Sequence, residues 1–269
     1  MQITPMRLWI MIGVSALLFT GRSLQADHGA YHGNNTKTVN HAFQAGETLT
    51  YTITWSDIVQ AGTAVLEVKA AAPTKNGRRA FKLISTARSS GLVSKFYRVE
   101  DRIQSTVDNE ELYTLAYSLD QKHGSRKKQR EMTFDQSAGT VNVLRDGIQE
   151  QFTVPERVQD ALSSLYYART RQDFTIGKPI IIDVHDDGRT WSVELQTLGR
   201  EKITTPLGEF NTIKVRTYPK YEGVFQHKGE IYMWLTDDAR KIPLLMKSKI
   251  SIGTVIATLT AMQTGETEP

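Results

Sequence analysis

Histidine is the side chain best placed to move a proton near neutral pH, so His123, His185 and His227 come first as candidate bases. Each falls at or beside an expected turn. Hydrolysis needs such a base within hydrogen-bond reach of a nucleophile, with donors placed for an oxyanion. The chain has no G-x-S-x-G, the strand-to-helix turn that presents a nucleophilic serine. No catalytic residue is assigned, and a hydrolase is the least favoured reading. His185-Asp186-Asp187 and Asp237-Asp238 are the acidic clusters, and carboxylates can hold a hard cation such as calcium. The D-x-D-x-D-G spacing of a calcium loop is absent, and Asp and Gly at hairpin turns follow from turn chemistry alone. An Asp–Arg pair within Trp234–Arg240 would fix a corner. His28, His32 and His41 lack acidic or Cys partners at fixed spacing. The chain has no cysteine, which excludes disulfides and thiolate chemistry. No metal site and no cofactor are expected.

Binding chemistry is better represented. Arg126, Lys127, Lys128 and Arg130 form the densest basic run. Near a hairpin tip they could touch anionic lipid head groups or lipopolysaccharide phosphates; a solvated, solubilising loop is the competing reading. Tyr51, Trp55, Tyr166, Tyr167, Trp191, Tyr232 and Trp234 are large apolar groups with a polar handle. They would line a lipid cavity or fill a core. Tyr166, Tyr167, Trp191 and Trp234 are taken as candidate ligand-binding residues, with Arg126, Lys127, Lys128 and Arg130 as a rim for anionic groups.

What must position these residues is mainly β-structure. Leu49, Tyr51, Ile53 and Trp55 alternate with threonines, a period of two. Strand-like segments then recur at roughly 8–12 residue spacing with turn signals between them. Among the expected turns are Ala61-Gly62, Asn76-Gly77, a basic turn over Lys122 to Arg130, Asp146-Gly147 and Asp187-Gly188. Ser90 to Phe96 reads as irregular or a single turn. One convincing helix is predicted over Pro155–Arg171: proline suits the first helical position, Glu156 and the late Arg169 and Arg171 suit the dipole, and Val158, Ala161, Leu162, Leu165 and Tyr166 share a face. So many strands do not stay flat; such sheets curl, split or close. The expectation is mainly β: a large curved antiparallel sheet or barrel-like fold with one helix packed against it.

The expected organisation is a signal peptide over 1–26, a flexible leader over 27–45, a single β-rich domain over 46–263 and a tail over 264–269. Arg7, the apolar run Trp9 to Phe19 and Leu24-Gln25-Ala26 have the layout of a cleavable secretory signal cut after Ala26. That run is too short to span a bilayer, and no later stretch is long and apolar enough, so the cleaved protein is not transmembrane. The formal net charge is +4, and removing Arg7 and Arg22 leaves +2, so no affinity for nucleic acid is implied. A periplasmic or secreted address follows.

The chain also resembles the domain of unknown function 3108 family of exported bacterial proteins. The carrying residues are Gly46-Glu47, Leu49-Tyr51-Ile53, Gly62, Gly91-Leu92, Tyr97 and Asp101. Further on they are Val158 to Ser163 with Tyr166 and Arg169, Gly208-Glu209-Phe210, Gly229, Trp234 to Asp238, Arg240, Pro243 and Gly253. The resemblance implies a β-rich extracytoplasmic fold and transfers no reaction. The expected function is non-enzymatic binding of an apolar or amphipathic, lipid-like ligand on the concave side of the sheet, or of an envelope partner. The alternative is a structural or assembly protein of the cell envelope.

Overall fold

The computed structural model describes residues 37–73, 77–220, 230–250 and 253–265. The expected signal peptide, the leader up to residue 36 with His28 and His32, and the loop carrying His227 lie outside them. The strands are β1 (Thr48–Trp55), β2 (Val59–Ala71), β3 (Ala80–Ser89), β4 (Val99–Asp108), β5 (Thr114–His123), β6 (Arg126–Asp135), β7 (Thr140–Arg145), β8 (Ile148–Thr153), β9 (Ile180–Asp186), β10 (Arg189–Thr205), β11 (Gly208–Lys220), β12 (Ile231–Thr236), β13 (Pro243–Ile250) and β14 (Gly253–Gln263). Two helices interrupt them: α1 (Gly91–Phe96) follows β3, and α2 (Ala161–Thr170) follows β8.

All 14 strands form one antiparallel sheet in the order β8-β7-β6-β5-β4-β3-β2-β1-β14-β13-β12-β11-β10-β9. The first and last strands pair in its middle, from Thr48 opposite Gln263 to Trp55 opposite Val255. The two outer strands, β8 and β9, are consecutive in sequence and joined through α2. The sheet is curved but not closed by hydrogen bonds. Its edges overlap instead. On β9, Ile182 and Val184 point to one face and Asp183 and His185 to the other, yet all four are at most 2% exposed. The rings of Phe134 on β6 and Phe152 on β8 reach His185, with centroids 6.1 and 5.8 Å away. The β6–β8 flank therefore laps over β9, and the bare backbone of β9 is partly covered by Gln159, which donates to Asp183 and accepts from the His185 amide. Overlap and cover both blunt an edge that would otherwise template aggregation.

Local sequence explains the departures from the predicted elements. The helix starts at Ala161, not at Pro155, because Asp160 caps it: its carboxylate accepts from the amides of Leu162 and Ser163, and the Asp160 amide in turn donates to the Ser163 hydroxyl oxygen. That reciprocal arrangement satisfies donors a helix start leaves orphaned. Residues 155–159 are not helical: Glu156 and Arg157 make a turn, with Arg157 at φ 59°, and Gln159 bridges to Val184. Ala61-Gly62 is not a turn. The turn lies at Ser56–Ile58, and Gly62 sits within β2 because a Cβ there would stand 2.2 Å from the Arg88 carbonyl oxygen. The basic turn shortens to Gly124-Ser125, leaving Arg126 to Arg130 on β6. Ser90 to Phe96 contains the second helix.

Strand directions alternate, so the β1–β2, β3–β4, β5–β6, β7–β8 and β9–β10 connections share one end of the sheet, called here the hairpin end. The chain entering β1, the β4–β5 and β12–β13 connections and α2 gather at the other. There Arg169 of α2 is 1% exposed and grips Glu47, 3% exposed, with two bonds of 2.7 Å. The same guanidinium donates to the carbonyls of Ala42 and Arg240 and lies over the rings of Phe43 and Tyr166. Burial disfavours its charge, but the Glu47 carboxylate outweighs this and raises the Arg169 pKa. Within the expected leader, Ala42 and Phe43 are buried by this contact.

Breaking a buried pair strands a charge, at about 3–5 kcal/mol, whereas replacing both partners with apolar groups is often near neutral. Arg169→Met and Glu47→Leu should each cost several kcal/mol in urea unfolding, and the double variant should recover most of that. A double variant as unstable as the sum of the singles would show that the pair does not act as a unit.

Candidate functional site: a basic hairpin end and a sealed interior

The four aromatic candidates do not meet in one place. Tyr166 (1% exposed) and Tyr167 (2%) lie in the core, and the Tyr166 ring packs edge-on against Phe43 at 4.9 Å. Burial raises the Tyr166 pKa far above the usual phenol value. Trp191 is half-buried against the core from β10. Trp234 alternates on β12 with the interior residues Met233 and Leu235, so it stands on the outer face. Its indole N–H donates to Glu201 at 2.6 Å, and the ammonium groups of Lys214 and Lys247 lie over its ring.

The concave side is occupied by the chain's own side chains. Leu49, Tyr51, Ile53, Leu66, Leu83, Ile103, Met132 and Ile213 are all below 2% exposure and belong to one continuous cluster with Tyr166. Polar groups inside it are bonded locally. Asp160 is fully enclosed, and Ser105 and Thr114 donate hydroxyl bonds to its two oxygens at 2.7 and 2.9 Å. Burial raises its pKa against those bonds.

The basic run divides. Arg126, Lys127 and Lys128 are exposed on the first residues of β6. Arg130 alternates with Met132 and Phe134 on the buried face, is 3% exposed, and reaches across the overlap to Asp186 at 2.7 Å and Asp187 at 3.2 Å. Arg145 and Lys128 also reach Asp187, at 2.9 and 3.3 Å. The acidic cluster thus forms ion pairs across the seam that stitch the β9–β10 turn to β6 and β7. Burial would push the Asp187 carboxyl up, but Arg130, Lys128 and Arg145 together hold it below the usual range; for Asp186 burial prevails over Arg130 and the pKa rises.

Two histidines are described in the strands. His123 Nε2 lies 2.7 Å from Asp101. His185 is wholly buried, its Nδ1 2.8 Å from Thr190 Oγ1 and its Nε2 without a hydrogen bond. A Thr–His pair has the elements of a nucleophile and its base, but no solvent reaches this ring. Among the described residues no three His, Asp or Glu side chains are grouped to hold a metal ion. Asp160 and the Glu47–Arg169 pair went unread in the sequence as a working assembly. The only signal was the capping-box spacing Asp160–Ser163, since Glu47 and Arg169 are 122 residues apart.

The hairpin end has a different surface. The β5–β6 tip is tied to the α1 region by a bond from the Gly124 amide to the Arg98 carbonyl, 2.8 Å, and by the Tyr97 and His123 rings, 6.3 Å apart. Phe96 at the end of α1 is 88% exposed and Ile58 in the β1–β2 turn 85%.

The family described as "Protein of unknown function (DUF3108)" matches residues 50–260. No curated protein matches the sequence. Among solved structures, a β-barrel-like protein of the domain of unknown function DUF1849 from Brucella abortus superposes with a TM-score of 0.56 at 9% identity, over 84% of this chain and 100% of that one. An exported protein with a YmcC-like fold from Bacteroides fragilis shares 10% identity over 82% and 97% of the two chains. A lipoprotein from Parabacteroides distasonis shares 9% over 85% and 100%. Both of these have TM-scores of 0.35, too low for a shared fold to be argued.

Burial and the neighbouring Arg130 charge lower the His185 pKa to about 4, against a smaller opposing pull from Asp187. An unfolded histidine takes up its proton near 6.5. Between those values the unfolded chain binds the extra proton, so stability is complete above about pH 6.5 and declines as pH falls toward 4, by roughly 3 kcal/mol. Urea midpoints should therefore fall over that window in the wild type, and His185→Gln should flatten the slope. An unchanged slope in the variant would assign the acid sensitivity elsewhere.

Proposed function

Because the chain belongs to the DUF3108 family of proteins of unknown function, we propose a function from geometry: an exported, non-enzymatic protein of the cell envelope that works as a binding or assembly platform through its outer surface. The observation that carries this reading is that the inward-facing side chains of the sheet and of α2 pack on one another in a single buried cluster. A barrel that carries an apolar ligand keeps its interior for that ligand. Here the concave face and α2 are packed into one cluster, with Tyr166 and Tyr167 inside it. The outer surface supplies what a platform needs, exposed apolar tips and concentrated charge at the hairpin end. The export signal read over residues 1–26 supplies the address. Interior lipid carriage is the second reading, and the orphaned, fully buried hydroxyl of Tyr166 favours it, since a buried polar atom without a partner can mark an absent ligand or water.

Native mass spectrometry with lipid extraction, on protein purified from a periplasm, separates the two readings. The expected result is the mass of the processed chain alone, cut after Ala26, with no lipid in the extract. A stoichiometric lipid retained after delipidating washes would favour carriage and remove the platform reading.

A further inference from the structure

We infer that the hairpin end, at α1, the β1–β2 turn and the β5–β6 tip, docks on an anionic lipid bilayer, with Phe96 and Ile58 entering the head-group region and the surrounding lysines contacting lipid phosphates. The inference rests on the platform reading and names its partner surface.

Three independent observations converge on this end. Phe96 and Ile58 are the two most exposed large apolar side chains among the described residues. They are carried by segments that touch: the Ser90 amide at the start of α1 donates to Ala61, three residues beyond Ile58. Residues 95–98 and 122–128 hold six Lys and Arg and no Asp or Glu, and the Gly124–Arg98 bond places those two stretches side by side. Arg98 is paired with Glu100, which Lys122 also faces across the strands, and Lys128 with Asp187; Asp57 is the one exposed acid beside Ile58, so Lys95 and Lys127 carry most of the argument. At the opposite end acids and bases neutralise one another: Asp108 pairs with Arg78, Glu111 with Lys37 and Arg157, Asp237 with Arg200 and Asp238 with Arg240.

Apolar tips ringed by cations are the chemistry of an interfacial anchor. Binding scales with buried apolar area and with attraction to anionic lipid, and each Lys or Arg held at such a surface adds about 1 kcal/mol until salt screens it. An acidic protein surface would take the lysines but gives no reason for an aromatic ring to stand almost fully in water. A bilayer accounts for both. The hairpin end would then face the membrane, and the end bearing α2 would face away from it.

The test is flotation of the mature protein with phosphatidylcholine vesicles, alone or doped with phosphatidylglycerol. Binding is expected only to the doped vesicles, weakening as salt rises. Lys95→Gln/Lys122→Gln/Lys127→Gln should lower the partition coefficient at least about tenfold, and Phe96→Ser roughly tenfold. All variants should melt close to the wild type, since Lys95, Phe96 and Lys127 are exposed and Lys122 is only partly buried. Equal binding to both vesicles, no binding, or wild-type binding by both variants would overturn the inference. Binding abolished by inorganic phosphate at constant ionic strength would also overturn it, by showing a site for a free anion. A clean apo mass with no vesicle binding would sink the membrane partner and leave the platform reading standing; a retained interior lipid would strike at the platform reading itself.

Discussion

One guanidinium and one carboxylate, buried together, join parts of the chain that are far apart in sequence. Arg169 leaves α2, Glu47 precedes β1, and the two carbonyls that complete the cage come from residues 42 and 240. The helix lies between the two edge strands in sequence, while Glu47 enters the middle of the sheet beside β14. The pair therefore ties the perimeter of the sheet to its centre. Desolvating two charges costs several kcal/mol per ion, recovered only with good geometry and further hydrogen bonds. Both conditions hold here, and the Phe43 and Tyr166 rings shield the pair from water. The interior of the curve is thus specified by a polar contact inside an apolar cluster, and α2 has one seat.

The second constraint is the way the edges are handled. Fourteen strands supply enough width to close a barrel, but the hydrogen-bond ladder stops at β8 and β9 and one flank slides over the other. Overlap turns both faces of β9 inward, which explains why Asp183, His185 and Asp186 are charged or polar groups at low exposure and why each finds a specific neighbour. Ser192 serves Asp183, Thr190 serves His185, and Arg130 serves Asp186. Side-chain ion pairs stand in for the backbone bonds that a closed barrel would have across the seam. The likeness to a β-barrel-like fold at a TM-score of 0.56 agrees with an open but rolled sheet.

Much of this was legible from residue order. The alternation of Leu49, Tyr51 and Ile53 with threonines gave β1 and its buried face, and the count of strand segments required curvature. Signals that depend on one residue having one meaning misled. Pro155 resembled a helix start, but Asp160 with Ser163 made the stronger cap. Gly62 resembled a turn, but its missing Cβ serves a close approach to Arg88. What could not be read were contacts without a sequence period: the pairing of Glu47 with Arg169, the crossing of Arg130 to Asp186, and the outward position of Trp234. These depend on which strand lies over which, and spacing along one chain carries no such information.

The pairing of β1 with β14 sets an order of events. β1 to β8 can zip up one hairpin at a time, but the free side of β1 stays bare until the last strand has emerged. A chain released from a ribosome or a translocation channel would therefore hold half a sheet with an open centre line, and loss of β14 would leave that line open permanently. Joining the present ends and cutting between β8 and α2 would abolish the wait, because every pairing in the ladder would then be between consecutive strands.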